Sequence, residues 1–143
     1  MSIANVLLVD DEASFVETFA ERLELRNFEI SKAFSGEEAL RILKENQTVE
    51  VVILDVKMPG MDGIETLMEI KRRYPLVEVM MLSGHADVES AIEGMKQGAF
   101  DYLMKPVDMD QIITKVTAAA TKKRQHEEKI IQARIKEITS RRA

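Results

Sequence analysis

The sequence predicts an α/β protein with a five-stranded parallel sheet, on three observations. Short apolar runs alternate with amphipathic stretches along most of the chain, as strands alternate with helices. Strict βα alternation calls for parallel strands, right-handed crossovers and helices on both faces of the sheet. The length, 143 residues with 45% hydrophobic content, suits one domain able to bury a proper core.

The first apolar run, Ile3 to Val9, ends in the acidic cluster Asp10-Asp11-Glu12. After it Phe15, Val16, Phe19, Leu23 and Leu25 recur at helical spacing to about Arg26, with Ser14 or the acidic cluster available to cap the helix start. Phe28 to Ala33 is a second strand, and Ser35 opens a second helix with Glu38 three residues later, as in a capping box. Ala39, Leu40, Ile42 and Leu43 form its inward face. A third strand runs from Val49 to Leu54 and halts on Asp55, with Pro59 and Gly60 close behind, which no strand interior accepts. Met61-Asp62-Gly63 leads into a third helix through Ile64, Leu67, Met68 and Ile70, closed by Tyr74-Pro75.

Val77 to Leu82 is the fourth strand and ends on Ser83-Gly84. A helix from about Ala86 to Lys96, carrying Val88, Ala91, Ile92 and Met95, stops at Gly98. Phe100 to Met104 is the fifth strand and delivers Lys105-Pro106, and a last helix starts near Asp108 with Ile112, Ile113 and Val116 facing inward. Five such units suit the flavodoxin-like order 2-1-3-4-5, which sets strands 1 and 3 at the point where the winding reverses. Ligands of open α/β sheets bind there, outside the strands' C-terminal ends.

Composition narrows the chemistry. The chain has no cysteine, which removes disulfides, thiolate metal sites and cysteine nucleophiles; its two histidines, His85 and His126, lie far apart in sequence. A metal would therefore be held by oxygen. No stretch reaches the length of a membrane span and the N-terminus lacks a signal-peptide pattern, so a cytoplasmic protein is expected. The net charge of −5 is uneven: −10 before Thr121 and +5 from it onward. The acidic body should repel nucleic acid.

In the expected fold the strand tips bring together Asp10, Asp11, Asp55, Ser83 and Lys105. Two carboxylates about 4 Å apart repel by roughly 4 kcal/mol at an effective dielectric near 20. A hard cation resolves this, and Mg²⁺ is the natural candidate, with Mn²⁺ the alternative, since it accepts several carboxylates and adds a phosphate oxygen readily. Lys105 is a long-reaching point charge suited to a phosphoryl oxygen, Ser83 offers a hydroxyl donor, and Gly84 leaves the approach open. Pro106 is a candidate cis-proline. Each residue has an ordinary use as well: carboxylates at a helix start, a turn-forming Asp, a capping Ser, a surface Lys.

Taken jointly, Asp10-Asp11, Asp55 with Met58-Pro59-Gly60-Met61-Asp62-Gly63, Ser83-Gly84, and Tyr102 with Lys105-Pro106 resemble the receiver domain of bacterial two-component response regulators. The resemblance covers about residues 3 to 120. It implies that Asp55 is a phosphoacceptor served by a sensor histidine kinase or phosphotransfer protein, and that Asp10, Asp11, Asp55 and the backbone carbonyl of Lys57 hold Mg²⁺. It implies too that Ser83 and Tyr102 switch on phosphorylation, altering the surface of the fourth helix, fifth strand and fifth helix. Lys57 and His85 match positions that tune the acyl phosphate's lifetime; both are bulky, so slow hydrolysis is expected. Such a protein is a signalling phosphoacceptor rather than an enzyme, acting on a downstream protein or an output domain absent from this chain.

From Thr121 the helical pattern continues as a charged tail, 121–143, with an apolar stripe of Ile130, Ile131, Ile135 and Ile138. The stripe lapses between Lys122 and Lys129, so a solvated extension is favoured over a long coiled coil; the sharper readings are pairing into a homodimer, through the tail or the switch face, or a linker toward an output domain. The tail's 23 residues contain no recognisable helix-turn-helix, so no direct contact with nucleic acid is expected. Three other classes compete: a degenerate receiver used only for protein contacts, an Asp-nucleophile phosphatase and a flavin carrier. The phosphatase is disfavoured by Lys57, where a haloacid-dehalogenase-like enzyme has a second Asp. Asp10-Asp11-Glu12 stands where a flavodoxin needs a phosphate-binding loop.

Overall fold

The computed structural model describes residues 2–84 and 88–142. Five strands, β1 (Asn5–Val9), β2 (Glu29–Ala33), β3 (Val51–Leu54), β4 (Glu78–Ser83) and β5 (Asp101–Met104), alternate with α1 (Ala13–Glu24), α2 (Gly36–Glu45), α3 (Gly63–Arg73), α4 (Val88–Lys96) and α5 (Met109–Arg142). All neighbouring strands pair in parallel, in the order β2-β1-β3-β4-β5. The expected fold class is therefore the observed one.

Side-chain alternation along the central strands builds two cores. Val6, Leu8, Val51, Ile53, Met80 and Leu82 face α1 and α5, joining Val16, Leu23, Ile112 and Val116. Leu7, Val9, Val52, Leu54, Val79 and Met81 point the opposite way, toward Leu40 and Leu43 of α2 and Leu67 and Ile70 of α3. Because β1, β3 and β4 are covered on both faces, their central residues, 6–9, 51–54 and 79–82, are apolar without a break. Each fully buried Leu, Ile or Met contributes about 1.5–3 kcal/mol relative to exposure.

The helix ends follow local chemistry. Ser35 caps α2 by accepting the Glu38 N–H at 3.1 Å, and Asp62 caps α3 by accepting the Glu65 N–H at 2.9 Å. Glu12 is the cap residue of α1 and makes no side-chain capping bond, so Ser14 lies inside the helix rather than at its cap. Gly98 adopts φ +98 after α4, a conformation that favours glycine. Strands begin one or two residues later than the apolar runs do; Val49 is buried ahead of β3 without joining its ladder.

Some apolar positions at helical spacing stay outside the core. Leu25 closes α1 at 82% exposure, and Met68 lies on the outer side of α3. Val88, Ile92 and Met95 are exposed on α4, whose contact with the body is made through Gly94 and its neighbours. Ala86, the expected start of this helix, lies outside the described residues.

The last helix is one continuous element of 34 residues, and its first third packs on the sheet. Ile130, Ile131, Ile135 and Ile138 are all exposed beyond it. Where α5 passes the sheet's N-terminal edge, Arg124 forks onto Glu50 at 2.6 and 2.8 Å and also donates to the Ile3 carbonyl at 2.9 Å. Among the described residues no helix is long and apolar enough to cross a membrane.

Candidate phosphoryl and metal site

Strand register creates the site. Val9 lies opposite Leu54 across the β1–β3 pair, so the residues that follow, Asp10 and Asp55, emerge side by side. Asp55 N–H donates to the Val9 carbonyl at 3.0 Å and Asp10 N–H to the Ala33 carbonyl at 3.2 Å, which extends the ladders to the tips. On the other flank Ser83 pairs with Met104, and Lys105 N–H donates to the Ser83 carbonyl at 2.8 Å. The Lys105–Pro106 peptide is cis.

The loop after β3 is held close. Gly63 starts α3 so near the Asp55 and Val56 backbone that a Cβ there would collide with it, which requires glycine. Gly60 sits at φ +75, and the following Met61 N–H donates to Glu37 Oε1 at 3.1 Å, tying the loop to α2. These contacts fix the backbone that carries Asp55 and Lys57.

Asp10, Asp11 and Asp55 each offer a carboxylate oxygen within 4.8 Å of the others. Asp10 and Asp55 are buried while Asp11 is exposed, a cluster sunk on one side and open on the other. Burial, reinforced by the negative charge of Asp10, pushes the Asp55 carboxyl up from 3.8 to about 6; Lys105 pulls the other way. Its Oδ1 accepts the Val56 N–H at 2.9 Å. Three oxygen donors of hard character, short of positive charge, fit a divalent cation of the Mg²⁺ type.

Lys105 Nζ donates to Asp10 Oδ2 at 2.6 Å. Ser83 is fully buried at the end of β4, and no Cβ-sized obstruction separates Gly84 from the lysine stem. Tyr102 is half-buried on β5 and packs on the α2–α3 core beside Gly94 of α4. Lys57 is exposed on the β3–α3 loop. His85 lies outside the described residues. So Asp10, Asp11, Asp55, Ser83, Gly84, Lys105 and Pro106 gather at one sheet edge, with Tyr102 one strand turn below and Lys57 on the rim.

One participant went unread in the sequence. Phe15, in the first turns of α1, places its ring 4.0 Å from Lys105 Nζ and stacks on Phe19 with centroids 5.1 Å apart. Sequence periodicity marks Phe15 as a helix-face apolar residue and carries no signal of a lysine ninety residues away.

A parallel five-stranded sheet in this order, with a carboxylate trio at its switch point and a lysine at the tip of β5, defines a doubly wound α/β domain whose ligand crevice lies at that edge. A family model described as the response regulator receiver domain matches residues 6–117, and the chain belongs to that family. An NtrX-like response regulator of Rickettsia conorii is 40% identical over 121 residues, which cover 83% of this chain and 25% of that protein. The DNA-binding transcriptional regulator NtrC of Klebsiella pneumoniae is 37% identical over 78% of this chain and 24% of its own length. The chain thus spans about a quarter of the length of these relatives. Among solved structures, NtrX of Brucella abortus bound to ADP superposes with a TM-score of 0.82 at 32% identity, covering 90% of this chain and 29% of that one. A receiver domain protein from Clostridium thermocellum gives 0.76 at 37% identity, covering 89% and 98%.

Proposed function

We propose that this receiver accepts a phosphoryl group on Asp55 from a phosphohistidine of a partner kinase or phosphotransfer protein. The observation that carries the reading is the convergence of Asp10, Asp11 and Asp55 within 4.8 Å beside Lys105. Asp10, Asp11, Asp55 and the carbonyl of Lys57 would hold Mg²⁺, which supplies charge neutralisation for the incoming phosphoryl oxygens. An Asp55 oxygen bonds to phosphorus as the P–N bond of the donor breaks, and the electron pair leaves with the imidazole nitrogen. Lys105 then neutralises a phosphoryl oxygen, and the Ser83 hydroxyl donates to another. Hydrolysis of the acyl phosphate, with water attacking phosphorus, restores Asp55. Lys57 and His85 match the family's lifetime-tuning positions and would slow that hydrolysis.

The phosphoryl group adds about −1.5 to −2 charges. Drawing Ser83 toward it vacates space for Tyr102, and the exposed face of α4, β5 and α5 changes shape for a downstream partner or output domain. Residues 1–120 form the phosphoacceptor unit and 121–143 a helical tail toward that output, in the cytoplasm. The turnover is confined to the chain's own phosphorylation and dephosphorylation. Intact mass after incubation with Mg²⁺ and acetyl phosphate tests the reading: one added phosphoryl group in the parent and none in Asp55→Ala is expected, and equal gain in both would refute it.

A further inference from the structure

Both oxygens of Asp10 are engaged by the chain itself. Oδ1 accepts the Glu12 N–H at 2.9 Å, and Oδ2 accepts the Lys105 ammonium at 2.6 Å. The same ammonium stands 4.0 Å from the Phe15 ring centroid, and that ring is braced by its stack on Phe19, 5.1 Å away at 16°. Lys105 is only 17% exposed, so carboxylate and ring form a largely desolvated seat, in which charge-assisted hydrogen bonds and cation–π attraction are both strengthened. Asp55, the residue whose phosphoryl group the lysine is to neutralise, makes no ion pair among the described residues; its Oδ1 is turned to the Val56 N–H.

We infer that Phe15 is a positioning residue that parks Lys105 on Asp10, so that the lysine competes with the divalent cation for this carboxylate. The inference rests on the proposed metal and phosphoacceptor roles. A divalent cation and an ammonium on one carboxylate repel each other in a site screened from water. Binding of the cation at Asp10 therefore expels the ammonium from its seat and frees it to swing toward Asp55. Cation loading and delivery of the lysine become one event, and the strength of the Phe15 contact sets how much cation is needed. The free chain keeps its acidic trio partly neutralised in the meantime.

Charge alone would make any loss of Lys105 favour the cation, since three carboxylates would then lack their ammonium. Phe15→Leu separates the two effects, because it keeps the ammonium and removes only the π face. Mg²⁺ affinity is measured on the full chain by calorimetry, with the metal-free melting temperature of each variant as a check on folding. Lys105→Met should bind Mg²⁺ at least tenfold more tightly, Phe15→Leu about two- to fivefold more tightly, and Phe15→Tyr, which keeps the ring, like the parent. Phe15→Leu binding no more tightly than the parent overturns the inference while leaving the metal site intact. A parent that binds no Mg²⁺ overturns both. As a readout free of any substitution, the ¹⁵N ammonium resonance of Lys105 in the parent should shift on Mg²⁺ addition; an unmoved signal rejects the displacement.

Discussion

The two edges of the sheet solve the same electrostatic problem in opposite ways. At the N-terminal edge the half-buried Glu50 is matched by the fork of Arg124 at 2.6 Å, and the buried Glu78 by Lys71 at 3.9 Å and Lys122 at 3.7 Å. At the C-terminal edge three carboxylates share the one ammonium of Lys105 among the described residues. The lower edge is stabilised by its charges, whereas the upper one holds a standing deficit of positive charge. Such a deficit persists where a ligand completes the site, which marks the unbalanced edge as the candidate functional one.

Neutralising the upper edge should therefore stabilise the fold. Asp55→Asn is expected to raise the unfolding free energy by up to about 3 kcal/mol at pH 8 without metal, because the folded state raises this carboxyl from 3.8 to about 6. The sign follows from the titration. Well below 3.8 the acid is neutral in both states and carries no penalty; between 3.8 and about 6 the unfolded chain ionises while the folded one resists, so the parent loses stability, and the loss is complete above 6. Urea unfolding at pH 8 and about pH 3 checks this, with the advantage of the variant vanishing at the lower pH.

The same manoeuvre at the lower edge should do harm. Glu78→Gln leaves Lys71, half-buried and already pushed below its usual value by burial, without its carboxylate. A loss of about 2 kcal/mol is expected by urea unfolding, less than for a tight buried pair because both contacts are long. Glu50→Gln should cost about 1 kcal/mol at pH 7, since Arg124 is half-exposed and screened. Burial pushes the Glu50 carboxyl up, but the Arg124 and Asn5 hydrogen bonds and the nearby positive charge pull it below 4.5 overall. Its stabilisation is thus present above 4.5 and fades as pH falls, the reverse of Asp55. Fraying of α5 beyond Arg124, followed by amide exchange, should accompany the loss.

A smaller effect is expected at the rim. Lys57→Ala should shorten the acyl phosphate half-life a few-fold by opening the path of water, with no change in melting temperature; an unchanged half-life would remove Lys57 from that role.

Much of this was legible because a parallel sheet buried on both faces writes unbroken apolar runs, and a lone charge ending such a run marks a strand tip. The charges of Asp10, Asp55 and Lys105 gave that signal, and at Ser83 a hydroxyl stood in the charge's place. Helical spacing alone was a poorer guide to burial. Met68, Val88, Ile92 and Met95 keep the period yet stay exposed, because which side of a helix is covered depends on packing neighbours that sequence spacing does not reveal. Phe15 under Lys105 and Arg124 on Glu50 were illegible for a related reason. Their partners lie 90 and 74 residues away, and only closure of the sheet brings them together.

The central claim is that the unbalanced edge exists to put a phosphoryl group on Asp55. Borohydride reduction of the phosphorylated chain, followed by peptide mapping, tests it most directly, since reduction converts an aspartyl phosphate to homoserine. Homoserine at position 55, formed only when Mg²⁺ was present during phosphorylation, is the predicted result; homoserine at another aspartate, or none in a chain that has gained phosphoryl mass, would contradict it.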